Sequence, residues 1–263
     1  MSENSVLFAL EGSVARVTLN RPEIGNAIDL DMARALVKTA IRCDTDVAIR
    51  CVVLTGAGRF FCVGGDLAVF AETGERRSSF LSELAGTLHM AVSRFMRMAK
   101  PLLILVNGPA AGAGLSLALS GDVVLAARSA HFAVAYSAIG LTPDGGLSWF
   151  LPRLVGLRKA QDMILTNRRV GAEEAESIGL ITRAVDDDAF EEEGVNMAAR
   201  LARSATAALG AARALLLESF PESLETHLER EARAISAAAG SAESGEGIAA
   251  FLAKRKPSFE GVK

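Results

Sequence analysis

The apolar residues of this chain alternate between strand-like runs and helical spacing several times along its length. Residues 6–10 and 14–19 are short strand-like runs either side of Glu11-Gly12-Ser13, which predicts a hairpin. Asp29 stands where a helix N-cap belongs, ahead of a segment to about residue 42 in which Leu30, Ala33, Leu36, Val37, Ala40 and Ile41 share one face. Cys51-Val52-Val53-Leu54 is a continuous apolar run of the kind found in strands covered on both faces. The alternation then repeats: a helix over about 77–98, a buried strand at 102–106, a short glycine-led helix at 115–119 and a strand at 123–126. Strand, helix and strand at this spacing predict right-handed crossover units in a mostly parallel sheet, an α/β core. Beyond Glu173 the spacing is helical, with 181–185 the late strand candidate. Helices over about 221–239 and 243–253 are too rich in alanine to form a core alone. They are expected to pack on a neighbouring subunit or back over the functional site.

Composition narrows the function. The chain has 263 residues, half of them hydrophobic and 22% charged, enough for one large domain with a substantial core. A net charge of -3 gives no electrostatic reason to expect nucleic acid or an anionic membrane as partner. Cys43, Cys51 and Cys62 have no metal-ligand spacing, and the opening Met1-Ser2-Glu3-Asn4-Ser5 lacks the features of a secretory signal, so a cytoplasmic location is expected. The most apolar stretch, 101–119, is interrupted by Asn107-Gly108-Pro109 and fails as a membrane span.

Two glycine-rich segments carry the candidate chemistry: Phe61-Cys62-Val63-Gly64-Gly65-Asp66-Leu67 and Asn107-Gly108-Pro109-Ala110-Ala111-Gly112-Ala113-Gly114. A carbonyl that takes on negative charge needs two backbone N–H donors converging on its oxygen, with no bulky side chains in the way. These segments read as two halves of such an oxyanion site. Gly112-Ala113-Gly114 begins like a dinucleotide fingerprint but lacks the third glycine and the ribose-binding acid. Gly114-Leu115-Ser116-Leu117-Ala118 approaches a nucleophile elbow but has alanine in the place of the second glycine, so Ser116 reads as structural. Asp144 lies in Thr142-Pro143-Asp144-Gly145-Gly146. It suits either the N-cap of the following helix or a carboxylate projecting into an apolar pocket as a proton shuttle. Tyr136 is either a core residue with a satisfied hydroxyl or a donor to substrate. His89 reads as packing or surface, and the three histidines are too scattered to suggest a metal site.

Taken together, these motifs resemble the enoyl-CoA hydratase/isomerase (crotonase) superfamily. Leu19-Asn20-Arg21-Pro22-Glu23 with Asn26-Ala27 resembles its N-terminal signature. The 61–67 segment, Lys100-Pro101 through Asn107-Gly108, and Pro143-Asp144-Gly145-Gly146 with Leu151-Pro152-Arg153-Leu154-Val155-Gly156 resemble its core motifs. Glu246-Gly247, Ala250-Phe251 and Lys254-Arg255-Lys256-Pro257-Ser258-Phe259 resemble its C-terminal trailer. The resemblance implies an α/β spiral of ββα turns over 1–195. It also implies a helical region over 196–263 that drives assembly of a homotrimer or a dimer of trimers. It further implies an acyl-CoA thioester substrate, with CoA as part of the substrate rather than a separate cofactor, and no metal. By motif position Gly65 and Ala113 would be the oxyanion donors. Val63 would lie near the CoA adenine, and the segment from Lys254 to Phe259 near its phosphates.

One departure from the family matters for the reaction. Its hydratases carry two glutamates at the positions of Ser116 and Tyr136 here, and serine and tyrosine are un-ionised at neutral pH. Asp144 matches the single catalytic aspartate of certain family isomerases. The resemblance therefore implies movement of a double bond by one carboxylate, with Tyr136 orienting substrate and hydration by a non-standard site as the alternative. Asp144 and His89 also match the family's 4-chlorobenzoyl-CoA dehalogenases, in which the aspartate attacks the ring and the histidine promotes ester hydrolysis. That branch carries tryptophan in the place of Tyr136. An acyl-CoA-binding protein without chemistry is a further alternative. Pocket walls are expected from 68–88 and from the C-terminal helices.

Overall fold

A computed structural model describes residues 5–261; of the opening residues read for a secretory signal, 1–4 lie outside the described part. Strands β1 (Val6–Glu11) and β2 (Val14–Leu19) form the expected antiparallel hairpin. Helix α1 (Leu30–Thr45) begins at Asp29, whose carboxylate accepts the Met32 N–H at 2.8 Å. Strand β3 (Cys51–Gly56) is buried at every position, as its unbroken apolar run requires. Helices α2 (Leu67–Glu72) and α3 (Arg77–Arg97) lead to β4 (Leu102–Val106), β5 (Ala110–Ala111) and α4 (Ala113–Ala118). Strands β6 (Val123–Ala127) and β7 (His131–Ala133) follow, then α5 (Leu147–Val155) and α6 (Leu157–Thr166). Strand β8 (Val170–Gly171), α7 (Ala172–Ser177) and β9 (Arg183–Val185) complete the alternating part. Four helices close the chain: α8 (Phe190–Ala202), α9 (Thr206–Glu218), α10 (Leu224–Ala239) and α11 (Ala242–Leu252).

The main sheet has the order β1-β2-β3-β4-β6-β9, parallel from β2 onward. A second sheet, β5-β7-β8, was not expected from the sequence. Single bridges extend it, Cys62 pairing with Ala110 and Ile28 with Gly65. Each turn of the chain thus runs through a long strand, a short strand and a helix, the ββα spiral. The short strands are the part that matters for the site, because they carry the chain from the ends of β3 and β4 to the glycine segments.

The expected division at residue 195 falls inside α8, which packs on β2, β3, β4 and β6. Side chains then tie the last helices back. Arg50 donates to Ala202 O at 2.7 Å and Ser204 O at 2.8 Å, and Arg213 pairs with Asp122 at 2.7 Å. Helix α10 has no buried residue. Leu216, Ile235, Phe251 and Leu252 on α9, α10 and α11 are each more than 70% exposed, large apolar side chains left to solvent in the single chain. Among the described residues no helix is long and apolar enough to cross a membrane.

Candidate active site

The two glycine segments meet. In the parallel bridge between Ile28 and Gly65, Ile28 N–H donates to Gly64 O at 2.7 Å and Asp66 N–H donates to Ile28 O at 2.9 Å. That pattern uses the neighbours of Gly65 and turns its own N–H to the opposite side. Gly64 has φ 107°, and a Cβ on it would lie 3.5 Å from Ala113 N, which measures how closely the segments approach. Gly112 has φ 52° and ψ -127°, a backbone that L side chains rarely adopt, and it aims the chain into α4. Ala113 is the first residue of that helix, so its N–H has no acceptor within the helix. Among the described residues neither the Gly65 nor the Ala113 amide donates to a protein acceptor. Both residues line one cavity of about 200 Å³.

The framework around Gly65 is polar and fully bonded. The buried Asn26 amide donates to Ala57 O, Phe60 O and Phe61 O at 3.0, 2.8 and 3.1 Å, holding the approach to the first glycine segment. Arg21 pairs with Asp29 at 2.9 Å and Asp66 at 3.0 Å, joining the caps of α1 and α2 on either side of that segment.

Apolar side chains form most of the cavity wall: Ile28, Phe70, Leu81, Leu84, Ala85, Leu88 and Leu141. Residues 81, 84, 85 and 88 follow the helical period, one face of α3. The expectation of walls from 68–88 is met. The C-terminal helices do not line this cavity: Leu217, Glu218 and Phe220 reach a neighbouring space beside Trp149 instead. Among the described residues no lysine, arginine or histidine lines this cavity.

Asp144 is the one carboxylate on that wall among the described residues. It is not the N-cap of α5, because the chain makes one further turn and Gly146, at φ 87°, takes the cap position. The Tyr136 hydroxyl donates to Asp144 Oδ1. Burial pushes the Tyr136 phenol well above its ordinary value, and the negative charge of Asp144 pushes it the same way. Ser116 Oγ donates to the Asp144 carbonyl at 2.8 Å and lies 3.3 Å from the Tyr136 hydroxyl. Gly145 N–H donates to His89 Nε2 at 3.0 Å. The result is a carboxylate facing an apolar cavity that also holds two unpaired amide donors, an arrangement able to take up a proton beside a carbonyl whose oxygen those amides bond.

The structure thus brings Gly65, Ala113, Asp144 and Tyr136 together. The residues read as contacts to the CoA adenine and phosphates are not on the wall of this cavity. Val63 is half-exposed next to Gly25, with its N–H donating to Gly25 O at 3.0 Å. Lys254 ends α11 in a left-handed turn and Phe259 sits near Gly247, and neither lines the cavity. Ser116, read as structural, and His89, read as packing or surface and matched to the dehalogenase histidine, both bond to the Asp144–Gly145 segment. Neither residue carries a local sequence signal for this, since their partners are 28 and 56 positions away. Burial pushes the Cys62 thiol up to about 12, so although it lies close to Gly64 it is a packing group. Among the described residues no group of three or more His, Cys, Asp or Glu is placed to hold a metal ion.

Comparison with known proteins bears on this site. The sequence profile for "Enoyl-CoA hydratase/isomerase" matches residues 9–262. The chain is 39% identical over 264 residues to "1,2-epoxyphenylacetyl-CoA isomerase" of Escherichia coli (strain K12), covering 97% of this chain and 98% of that protein. It is 41% identical over 261 residues to "Probable enoyl-CoA hydratase" of Rhodobacter capsulatus, covering 99% and 100%. Among solved structures, an enoyl-CoA hydratase from Polaromonas sp. JS666 superposes with TM-score 0.92 at 32% identity, covering 96% of this chain and 98% of that one.

Proposed function

We propose that this chain, which belongs to the enoyl-CoA hydratase/isomerase family, shifts the double bond of an enoyl-CoA thioester with Asp144 carrying the proton. The family acts on acyl-CoA thioesters, and the chain is an enzyme of the hydratase/isomerase kind, which sets aside the binding protein without chemistry. One observation carries the finer reading: Asp144 is the single carboxylate on the cavity that holds Gly65 and Ala113.

The thioester oxygen would accept from Gly65 N–H and Ala113 N–H. With Oδ1 held by Tyr136, Oδ2 of Asp144 is the oxygen that meets the substrate. It takes a proton from C2 of a 3-enoyl thioester, and the electron pair passes through the carbonyl to give a dienolate whose charge rests on the oxyanion donors. The protonated Asp144 then returns that proton to C4, leaving a 2-enoyl thioester. No second acid or base is required, which suits a site with serine and tyrosine in the hydratase glutamate positions. Space argues the same way. A Cβ on Gly145 would be 2.7 Å from Ser116 Cβ, so the Asp144 turn occupies the room a longer side chain at 116 would need. With an apolar wall and no cationic side chain, the acyl group that fits is compact and uncharged.

The test is conversion of trans-3-hexenoyl-CoA to the 2-enoyl isomer, followed by NMR with wild type and Asp144→Asn. The variant should lose about 10²–10⁴-fold in rate, the range of a positioned proton-transfer group. No conversion by the wild type would refute isomerisation of straight-chain substrates.

Hydration of a 2-enoyl-CoA is the second reading, supported by the name of the 41% identical relative; hydratase activity unaffected by Asp144→Asn would favour it. Dehalogenation is disfavoured, because its second step needs His89 to promote ester hydrolysis and His89 Nε2 already accepts from Gly145 N–H. Val63, beside the Gly64 segment, is the candidate for contact with the CoA adenine, and the segment from Lys254 to Phe259 for contact with its phosphates. A homotrimer or dimer of trimers is supported by the exposed apolar side chains of α9, α10 and α11, and sedimentation measures it. The buried, unpaired Cys43, Cys51 and Cys62 suit a reducing compartment such as the cytoplasm.

A further inference from the structure

The peptide unit between Asp144 and Gly145 is gripped at both polar ends by side chains from two different helices. Its carbonyl oxygen accepts from Ser116 Oγ of α4 at 2.8 Å, and its N–H donates to His89 Nε2 of α3 at 3.0 Å. In a trans peptide these two groups point in opposite directions, so one bond to each fixes the rotation of the plane between them. That rotation is otherwise unusually free. Gly145 sits at φ 61° and Gly146 at φ 87°, and a glycine crosses between positive and negative φ with little steric resistance. Rotation of the Asp144–Gly145 peptide changes ψ of Asp144 and φ of Gly145 together, and any part of it that the two torsions do not cancel shifts the turn and the Asp144 Cα, carrying the carboxylate relative to Tyr136 and the cavity. A third bond, Leu147 N–H to Asp144 O at 3.1 Å, is internal to the same turn and ties it only to itself.

We propose that Ser116 and His89 form a two-sided clamp on the Asp144–Gly145 peptide that holds the Asp144 carboxylate in its working direction. Both are positioning residues: they act on Asp144 through its backbone. Helix α3 then has two tasks at the site. Leu84, Ala85 and Leu88 wall the cavity, and His89, on the exposed side of the same turns, reaches the peptide behind it. The bond requires an acceptor lone pair at Nε2, which places the ring proton on Nδ1. The inference rests on the reading of Asp144 as the proton carrier.

The test uses the full chain with His89→Leu, His89→Gln, Ser116→Ala and Asp144→Asn. Leucine fills similar space without an acceptor, whereas glutamine offers Oε1 near the position of Nε2. On trans-3-hexenoyl-CoA, His89→Leu and Ser116→Ala should each lower kcat by about 10–100-fold, as expected for a misplaced reacting group, with KM little changed. His89→Gln should recover most of that loss. Hydrogen exchange at the Gly145 amide, read by NMR without substrate, should quicken in His89→Leu and slow again in His89→Gln. The clamp is overturned if the leucine and glutamine variants behave alike in both measurements, or if the Gly145 amide exchanges at the same rate in wild type and His89→Leu. Asp144→Asn separates the two ideas: full activity there refutes the proton-carrier reading, whereas an inactive Asp144→Asn beside a fully active His89→Leu refutes only the clamp.

Discussion

The hydroxyl of Tyr136 donates to Oδ1 of Asp144, joining two residues eight positions apart across the mouth of the Pro143-Asp144-Gly145-Gly146 turn. The pair is complementary in protonation. A buried phenol beside a carboxylate stays protonated and remains a donor, and the carboxylate so held needs no second ionisable group to keep its orientation.

Tyr136 is the only tyrosine in the chain, so its ionisation can be followed alone. Burial first, and the Asp144 charge second, raise its pKa. The phenolate absorbance of wild type should therefore not appear above about pH 10, where a free tyrosine ionises, until the chain unfolds. The linkage sign follows. The unfolded chain gives up this proton at lower pH than the folded one, so stability is whole below about pH 10 and declines as pH rises beyond it. Asp144→Asn removes one of the raising causes and should bring the titration to lower pH. An unchanged or higher midpoint in that variant would contradict the assigned cause.

Tyr136→Phe removes the donor while keeping the ring that lines the cavity. Without that bond the carboxylate can turn away from its working direction, and a misplaced reacting group costs about 10–100-fold in kcat. KM should change little, because the ring remains. Steady-state kinetics at saturating substrate check this. A KM effect with unchanged kcat would make Tyr136 a substrate-binding residue instead.

A methyl group at position 65 would have nowhere to go. The Cβ of Gly65→Ala would lie 2.4 Å from Cζ of Phe70, a ring already packed edge-on against Phe80. Either the ring or the Gly65 amide must shift, and loss of one oxyanion donor costs about 10²–10³-fold in kcat. Phe70→Ala opens the space, so the double variant should recover activity relative to Gly65→Ala alone, the non-additivity expected of residues in contact. Two additive losses would mean that the glycine matters for a reason other than this contact.

Much of the fold was legible because its signals are local. The unbroken apolar runs of β3 and β4, the Asp29 cap, and the helix over about 77–98 each follow from spacing alone. The second sheet was not legible, since β5 and β8 are two residues long and β7 three, too short to show a period. Asp144 was ambiguous for a physical reason: Asp-Gly-Gly before a helix suits a cap, and only the left-handed turn at Gly146 frees the carboxylate for the cavity. The bonds of Ser116 and His89 to the Asp144–Gly145 peptide were not legible, because a single hydroxyl on an apolar helix and a single imidazole on an exposed face have partners only in three dimensions.

Asn26 gives the sharpest test of how the first oxyanion segment is supported. Its side chain is buried, its φ of 56° lies in the left-handed region that asparagine tolerates better than most residues, and its amide bonds three carbonyls. Its Oδ1 accepts Arg21 N–H at 2.8 Å. Asn26→Ala would strand these groups in the interior, where each unsatisfied one costs about 1–3 kcal/mol, so urea denaturation should register a loss of at least about 2 kcal/mol. Asn26→Asp should be worse, because a carboxylate in that place presents oxygen to the carbonyl oxygens of residues 57, 60 and 61 instead of N–H. Loss of activity should accompany both, since Phe60 and Phe61 lead directly into the Gly64-Gly65 turn. Activity surviving in a destabilised Asn26→Ala would show that Arg21, through Asp29 and Asp66, suffices to hold the Gly65 amide in place.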